Sequence, residues 1–170
     1  MMRIEFVLLT ILLLAINCQS DKLDEVLKTS KNADLDKIFY QIYQVESSEF
    51  KNVAIVDRSI NRSYFSKDSS KLENDIIYWT KEIFPKTTFI SGDSILHFEK
   101  VDTDKYWNLR EATSSGWIEI SAPKFSKDKQ SATVHVLYLS NTKFGSGTKY
   151  TFKKTDNVWV IVNKELTSIS

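Results

Sequence analysis

Four kinds of residue in this chain could carry chemistry: one cysteine, two histidines, a serine between glycines, and closely spaced carboxylates. The thiol of Cys18 is a potential nucleophile or acylation site. With no second cysteine, an internal disulfide is excluded. His97 and His135 are the only histidines. A zinc site needs three or four ligands, and no His-x-x-x-His spacing occurs, so both are assigned structural roles. No metal and no cofactor is expected. Gly145-Ser146-Gly147 could cradle a phosphate only if it fed a helix N-terminus. The residues after it read as a strand, so a tight turn or bulge with positive φ is expected instead. The pairs Asp24/Glu25 and Asp102/Asp104 would need burial to act as acids or bases; they read as solvated surface charge. No Gly-x-Ser-x-Gly elbow is present. No catalytic residue is therefore assigned. The aromatic residues Trp107, Trp117, Tyr138, Tyr150, Phe152 and Trp159 either pack a core or line a ligand pocket, and packing is the heavier alternative.

The position of Cys18 gives it meaning. It follows the apolar run Phe6–Ile16, which has the length of a signal h-region and is short for a membrane span of roughly 20 residues. Arg3 precedes the run, with Glu5 beside it. Residues 1–17 read as a signal peptide, residues 18–33 as a tether, and residues 34–170 as a single domain. The stretch Leu14-Ala15-Ile16-Asn17-Cys18 resembles a bacterial lipobox, with Asn17 where such signals carry a small residue. That resemblance implies lipidation of Cys18 and cleavage before it, holding the chain to a membrane by buried acyl chains. The alternatives are a plain signal peptide and an uncleaved anchor. The expected location is the bacterial cell envelope, facing the periplasm or the cell surface.

Removing residues 1–17 leaves 153, enough for one domain with a substantial core. The formal net charge is +1, and Arg3 and Glu5 cancel, so the mature chain keeps that balance. Bulk charge gives no reason to expect a nucleic-acid partner.

The elements that would position these residues fall into two halves. Leu35, Ile38, Phe39, Ile42 and Val45 share one helical face, predicting a helix over 34–48, with a strand over Ile38–Val45 as the alternative. Residues 52–57 read as a buried strand and 58–69 as a loop. Ser70 and Glu73 form a capping box for a helix over 71–84, with Leu72, Ile76, Trp79, Thr80 and Ile83 on one face and Pro85 as its stop. Residues 86–102 stay open, with Ser94–Phe98 either a short strand or a helical turn. Residues 103–112 read as a short helix. From Gly116 onward the pattern alternates with period two. Strands are predicted over 117–121, 132–139, 148–153 and 158–162, with turns at 123–130, 141–146 and 155–157. Short connections imply an antiparallel meander. The fold class expected is α+β: N-terminal helices packed on one face of a curved antiparallel sheet ending in a four-stranded meander.

The second half also carries a family likeness. Ser121-x-Pro123-x-Phe125-Ser126, Ala132-x-Val134-x-Val136, Gly145-Ser146-Gly147, Lys153-Lys154, Trp159-x-Ile161 and the terminal Ile169-Ser170 resemble a set of uncharacterised exported bacterial proteins. The likeness covers about residues 115–170. It implies this sheet and an exported setting, and it transfers no activity. Three functions are compatible: a non-enzymatic binding or interaction module on a lipid anchor, an enzyme or ligand carrier with a pocket under the sheet, and an immunity or inhibitor protein.

Overall fold

The computed structural model describes residues 33–50, 52–61, 76–113, 115–141 and 144–169. The residues read as signal peptide, those read as tether apart from Ala33, which opens a helix, Cys18, and Ser70 and Glu73 of the expected capping box lie outside them. The chain divides into two compact units, Met1–Lys37 and Ile38–Ser170. Of the first, only residues 33–37 are described, as the opening of helix α1 (Ala33–Val45).

The alternating pattern after Gly116 becomes the long strands of the second unit. They are β3 (Trp117–Ile120), β5 (Ser131–Leu139), β6 (Gly145–Thr155) and β7 (Val158–Ile169), consecutive antiparallel neighbours in the sheet. Asp156 and Asn157, both at positive φ, make the two-residue β6–β7 turn, a conformation these residue types tolerate. Pro123 does interrupt the first strand, but the edge resumes as β4 (Lys124–Phe125), which also pairs with β5. The break is bonded: the Ser121 N–H donates to the His135 carbonyl at 2.8 Å, and the His135 N–H donates to the Ser121 hydroxyl at 2.9 Å. Proline has no N–H to lose there.

The sheet is mixed, which corrects the expectation of an antiparallel one. Two short strands, β1 (Ala54–Val56) and β2 (Phe89–Ile90), lie parallel to β3, giving the order β2-β1-β3-β5-β6-β7. Parallel neighbours need a long crossover. The chain supplies it between β2 and β3 as helices α3 (Gly92–Val101) and α4 (Thr103–Ala112). Ser91 and Asp102 cap these helices through the N–H groups of Ser94 and Lys105.

A second correction concerns residues 76–84, read as the end of a helix. They run extended and then turn. Arg58 and Tyr78 form a bridge, the Trp79 N–H donates to the Asp57 carbonyl at 2.9 Å, and the chain turns from Thr80 to Phe84. Ile76, assigned to the inner face, is 49% exposed. Trp79, Ile83 and Phe84 are buried all the same. Helix propensities differ by at most about 0.7 kcal/mol per ordinary residue, whereas burying one large side chain contributes about 1.5–3 kcal/mol. The tilted contact of Phe39 with Trp79 (4.4 Å) and the edge-on contact of Trp79 with Phe84 (5.9 Å) therefore decide the path.

Helices cover both faces of the sheet rather than one. On the first face, Val56, Trp117, Leu137 and Leu139 pack against Ile95 of α3 and Tyr106 of α4. On the second, Ile118, Val134, Tyr150, Phe152 and Trp159 are buried, as are Ile38, Phe39 and Ile42 of α1 and Phe50 of the short helix α2 (Ser47–Phe50). The Gln41 amide donates to the Trp159 carbonyl, tying α1 to β7.

A polar anchor, Arg110, and a steric one, Gly116, seat the first-face layer. Arg110 is 4% exposed and donates to the carbonyls of Ser140 (2.6 Å) and Phe144 (3.0 Å), holding the β5–β6 loop. Gly116 has φ +80°, and a Cβ there would lie 1.9 Å from the Leu139 carbonyl oxygen. The left-handed conformation alone costs a side-chain-bearing residue roughly 1–2 kcal/mol. Gly116→Ala is expected to destabilise the protein by more than that, and Gly145→Ala, without a positive φ, by less. Chemical denaturation of the two variants checks the ranking, and a Gly116→Ala protein as stable as the parent would contradict it.

Candidate functional site

The residues singled out by type scatter over the structure. Cys18 and Asp24/Glu25 lie outside the described residues. His97 is exposed on α3 with its ring against Phe98, and His135 lies half-buried on the first face of β5. Among the described residues no group of three or more His, Cys, Asp or Glu could hold a metal ion. Asp102 is the α4 cap. The Lys105 N–H, and then its ammonium group, hold the Asp102 carboxyl below its usual range. Asp104 is exposed in the first turn of α4. Gly145-Ser146-Gly147 is neither loop nor bulge: it opens β6, paired with Leu139, Tyr138 and Leu137. Gly145 is set by proximity, since a Cβ would meet Leu139 Cδ2 at 3.0 Å and the Tyr138 carbonyl oxygen at 3.1 Å. Of the six aromatics, Trp117, Tyr150, Phe152 and Trp159 are fully buried, and Trp107 stacks on the Arg110 guanidinium at 5.1 Å. Tyr138 and Tyr150 lead to a site.

That site is a cleft of about 200 Å³ on the second face. Strand register builds it. Ile118, Tyr138 and Ser146 lie side by side across β3, β5 and β6, and Val136, Thr148 and Leu166 across β5, β6 and β7. Successive strand residues alternate between faces, so these two rows share one surface with Tyr150 and its cross-strand partner Lys164. Phe50, Glu46 and Glu49 close the cleft from the helical side. Ile118 and Phe50 are buried and form its floor, while Leu166 is 79% exposed at its mouth.

The polar rim is organised by Glu46. Helix α1 ends just before it, and the Glu46 carbonyl accepts the N–H groups of Glu49 and Phe50 at 3.0 Å, turning the chain into α2. This turn aims the Glu46 carboxylate at the sheet, where it accepts the Tyr150 hydroxyl and the Lys164 ammonium (2.6 Å). The ammonium also sits 5.7 Å from the Tyr150 ring centroid, within cation–π range. Glu46, Tyr150 and Lys164 thus satisfy one another. Glu49 is left exposed at the rim. The Tyr138 hydroxyl donates to the Ser115 carbonyl at 2.8 Å, so its remaining capacity is as an acceptor. The cleft offers an apolar floor, a negative rim and the hydroxyls of Ser146 and Thr148.

Sequence reasoning missed Glu46, Glu49, Ser146, Thr148, Lys164 and Leu166 as site residues. Lys164 and Leu166 lie beyond the strand predicted over 158–162, and Glu46 meets them from 118 residues away. The one available signal was period-two spacing: Thr148-x-Tyr150 and Lys164-x-Leu166 each share a face.

On the opposite face His135, Lys149 and Glu165 form a row across β5, β6 and β7, with Lys149 and Glu165 paired at 3.4 Å. Burial pushes the His135 pKa below its ordinary 6.5, repulsion from Lys149 lowers it further, and Glu165 opposes both. The folded state therefore binds this proton less readily than the unfolded one. The stability involved is present above the unfolded value and is lost as pH falls from there through the lower folded value. Titration of the imidazole by NMR is expected to give a value below 6.5, raised in Lys149→Ala and lowered in Glu165→Gln. The reverse order would contradict the assignment of charges around it.

Among the described residues no helix is long and apolar enough to cross a membrane. No family model, no curated protein and no solved structure matches the chain.

Proposed function

We propose that this protein is an exported, lipid-anchored binding module of the bacterial cell envelope whose binding site is the Glu46–Lys164 cleft. The observation that carries the binding half is the cleft itself: an apolar floor with convergent polar groups at its edge, the usual form of a ligand site. Its volume is below the roughly 300–1,000 Å³ of pockets for drug-sized molecules, so the ligand is small and partly apolar, and the rim carboxylates favour one with a donor or cationic group. The export half is supported by the apolar run Phe6–Ile16 and by the lipobox-like Leu14–Cys18.

Catalysis is the second reading, favoured by one observation: two carboxylates, Glu46 and Glu49, border the same cleft. Glu46 is engaged by Tyr150 and Lys164, which suits a structural rim better than a base awaiting a proton. Binding remains the better account.

Two measurements test the halves separately. Fragment screening by NMR is expected to produce shifts at Val136, Thr148 and Leu166, and Thr148→Trp, which fills the cleft, is expected to abolish them. Hits that map elsewhere, or that persist in the filled variant, would contradict the site. Metabolic labelling with a fatty-acid analogue is expected to mark the native chain and spare Cys18→Ala. Equal labelling of both, or of neither, would sink the anchor.

A further inference from the structure

Among the described residues, helices cover the first face of the sheet at one end. Helices α3 and α4 pack over Trp117, Leu137 and Leu139. At the other end, beyond His135, the same face carries Lys124, Lys153 and Val160, placed there by the pairing of Lys124 with Thr133 and of Lys153 with Val160. Val158 lies on that face two residues before Val160. Val158 is 54% exposed and Val160 is 43% exposed. Aliphatic side chains directed at water from a long strand call for an explanation.

Charge supplies one. Residues 121–163 hold seven lysines and two aspartates, a net +5 in a chain whose net charge is +1. Four of those lysines, Lys124, Lys127, Lys129 and Lys153, against Asp128 and Asp156 give this end a local excess of two positive charges. Lys124, Lys127, Lys129 and Lys153 are all exposed at this end. Nearby Asp128 accepts the Ser126 hydroxyl at 2.5 Å and the Gln130 N–H at 3.0 Å, so it is turned to its own loop.

We propose that this end of the sheet, with Val158 and Val160 on edge strand β7 and Lys124, Lys127, Lys129 and Lys153 on the β4–β6 side of them, docks on an anionic phospholipid leaflet. Lysines at a negatively charged membrane surface gain attraction that falls off within a Debye length. Beside them the valines enter the headgroup–acyl boundary, where apolar area is removed from water. A nucleic acid would use the lysines and leave the valines wet, and base stacking would require aromatic rings where this face presents aliphatic ones. The leaflet uses both. Docking goes beyond the anchor proposed above, because it fixes which face of the domain meets the membrane. It does not require Cys18 to be acylated. The cleft, on the other face, would be turned away from the lipid.

The test uses the full chain as cells produce it, purified in detergent and placed in nanodiscs of phosphatidylcholine alone or with phosphatidylglycerol. Val160→Cys carries an environment-sensitive nitrobenzoxadiazole label, and Asn108→Cys on the exposed side of α4 is the reference. The readout is the surroundings of one side chain, not retention on the disc. Mass spectrometry of the label count reports separately whether Cys18 is blocked, so failure of the anchor and failure of docking are distinguishable. The expected result is a blue shift and loss of iodide quenching at 160 on anionic discs, none at 108, and none on neutral discs. Lys124→Glu with Lys129→Glu and Lys153→Glu is expected to abolish the shift. Equal responses at both positions or on both lipids would overturn the proposal, as would a 160 label silent on anionic discs but responsive to a nucleic acid.

Discussion

Strand β5 is the constraint on which the rest of the second unit depends. One edge pairs with β6 along the strand's full length, and the other is shared between β3 and β4. Its side chains alternate between two cores. Leu137 and Leu139 feed the layer under α3 and α4, while Ala132 and Val134 feed the layer that holds Trp159 and Phe152. A slip of one residue would exchange the two sets and expose both. Register is held at one end by Gly116, which lets the chain pass close to the Leu139 carbonyl, and at the break by the reciprocal bonds of Ser121 and His135.

Because the sheet has helices on both faces, each face acquires a different character along its length. The second face is covered until α1 gives way to α2, and the cleft opens at that corner. Among the described residues, helices cover the first face at the β1–β3 end and leave the β4–β7 end open. Polar residues distribute accordingly. Glu46 reaches down to close its corner with Tyr150 and Lys164, and the open end carries lysines and valines. The Glu46–Lys164 pair is only partly shielded, with the lysine side chain 43% exposed. Its value is in positioning more than in stability, since exposed pairs contribute about 0–1 kcal/mol.

Buried polar groups show the same economy. Arg110 is expensive to bury alone, and its donors are taken up by the Ser140 and Phe144 carbonyls and its face by Trp107. Glu119, 2% exposed, accepts the Trp117 indole N–H at 3.1 Å. Both groups lie within the first-face layer and tie its loops and strands to one arrangement.

The sequence by itself determined the four long strands after Gly116, apart from the run of β7 beyond 162, together with the helix over 103–112, the inward set Tyr150 and Phe152, and the Asp156-Asn157 turn. These follow from period-two alternation, a scarcity of strand formers over 103–112 and turn-forming residue types, all local properties. Tertiary structure decided what locality could not. Residues 76–84 carry a helical pattern yet run extended and then turn, because Phe39 and Phe84 offer Trp79 a burial site that outweighs propensity. Strands β1 and β2 run parallel to β3 because α3 and α4 carry the chain back across, and two- or three-residue strands leave no period to read. Gly145 sits in a strand for closeness to Leu139 and not for a turn. The cleft was least legible of all: Glu46 and Lys164 acquire their meaning only when the fold brings the end of a helix onto the last strand.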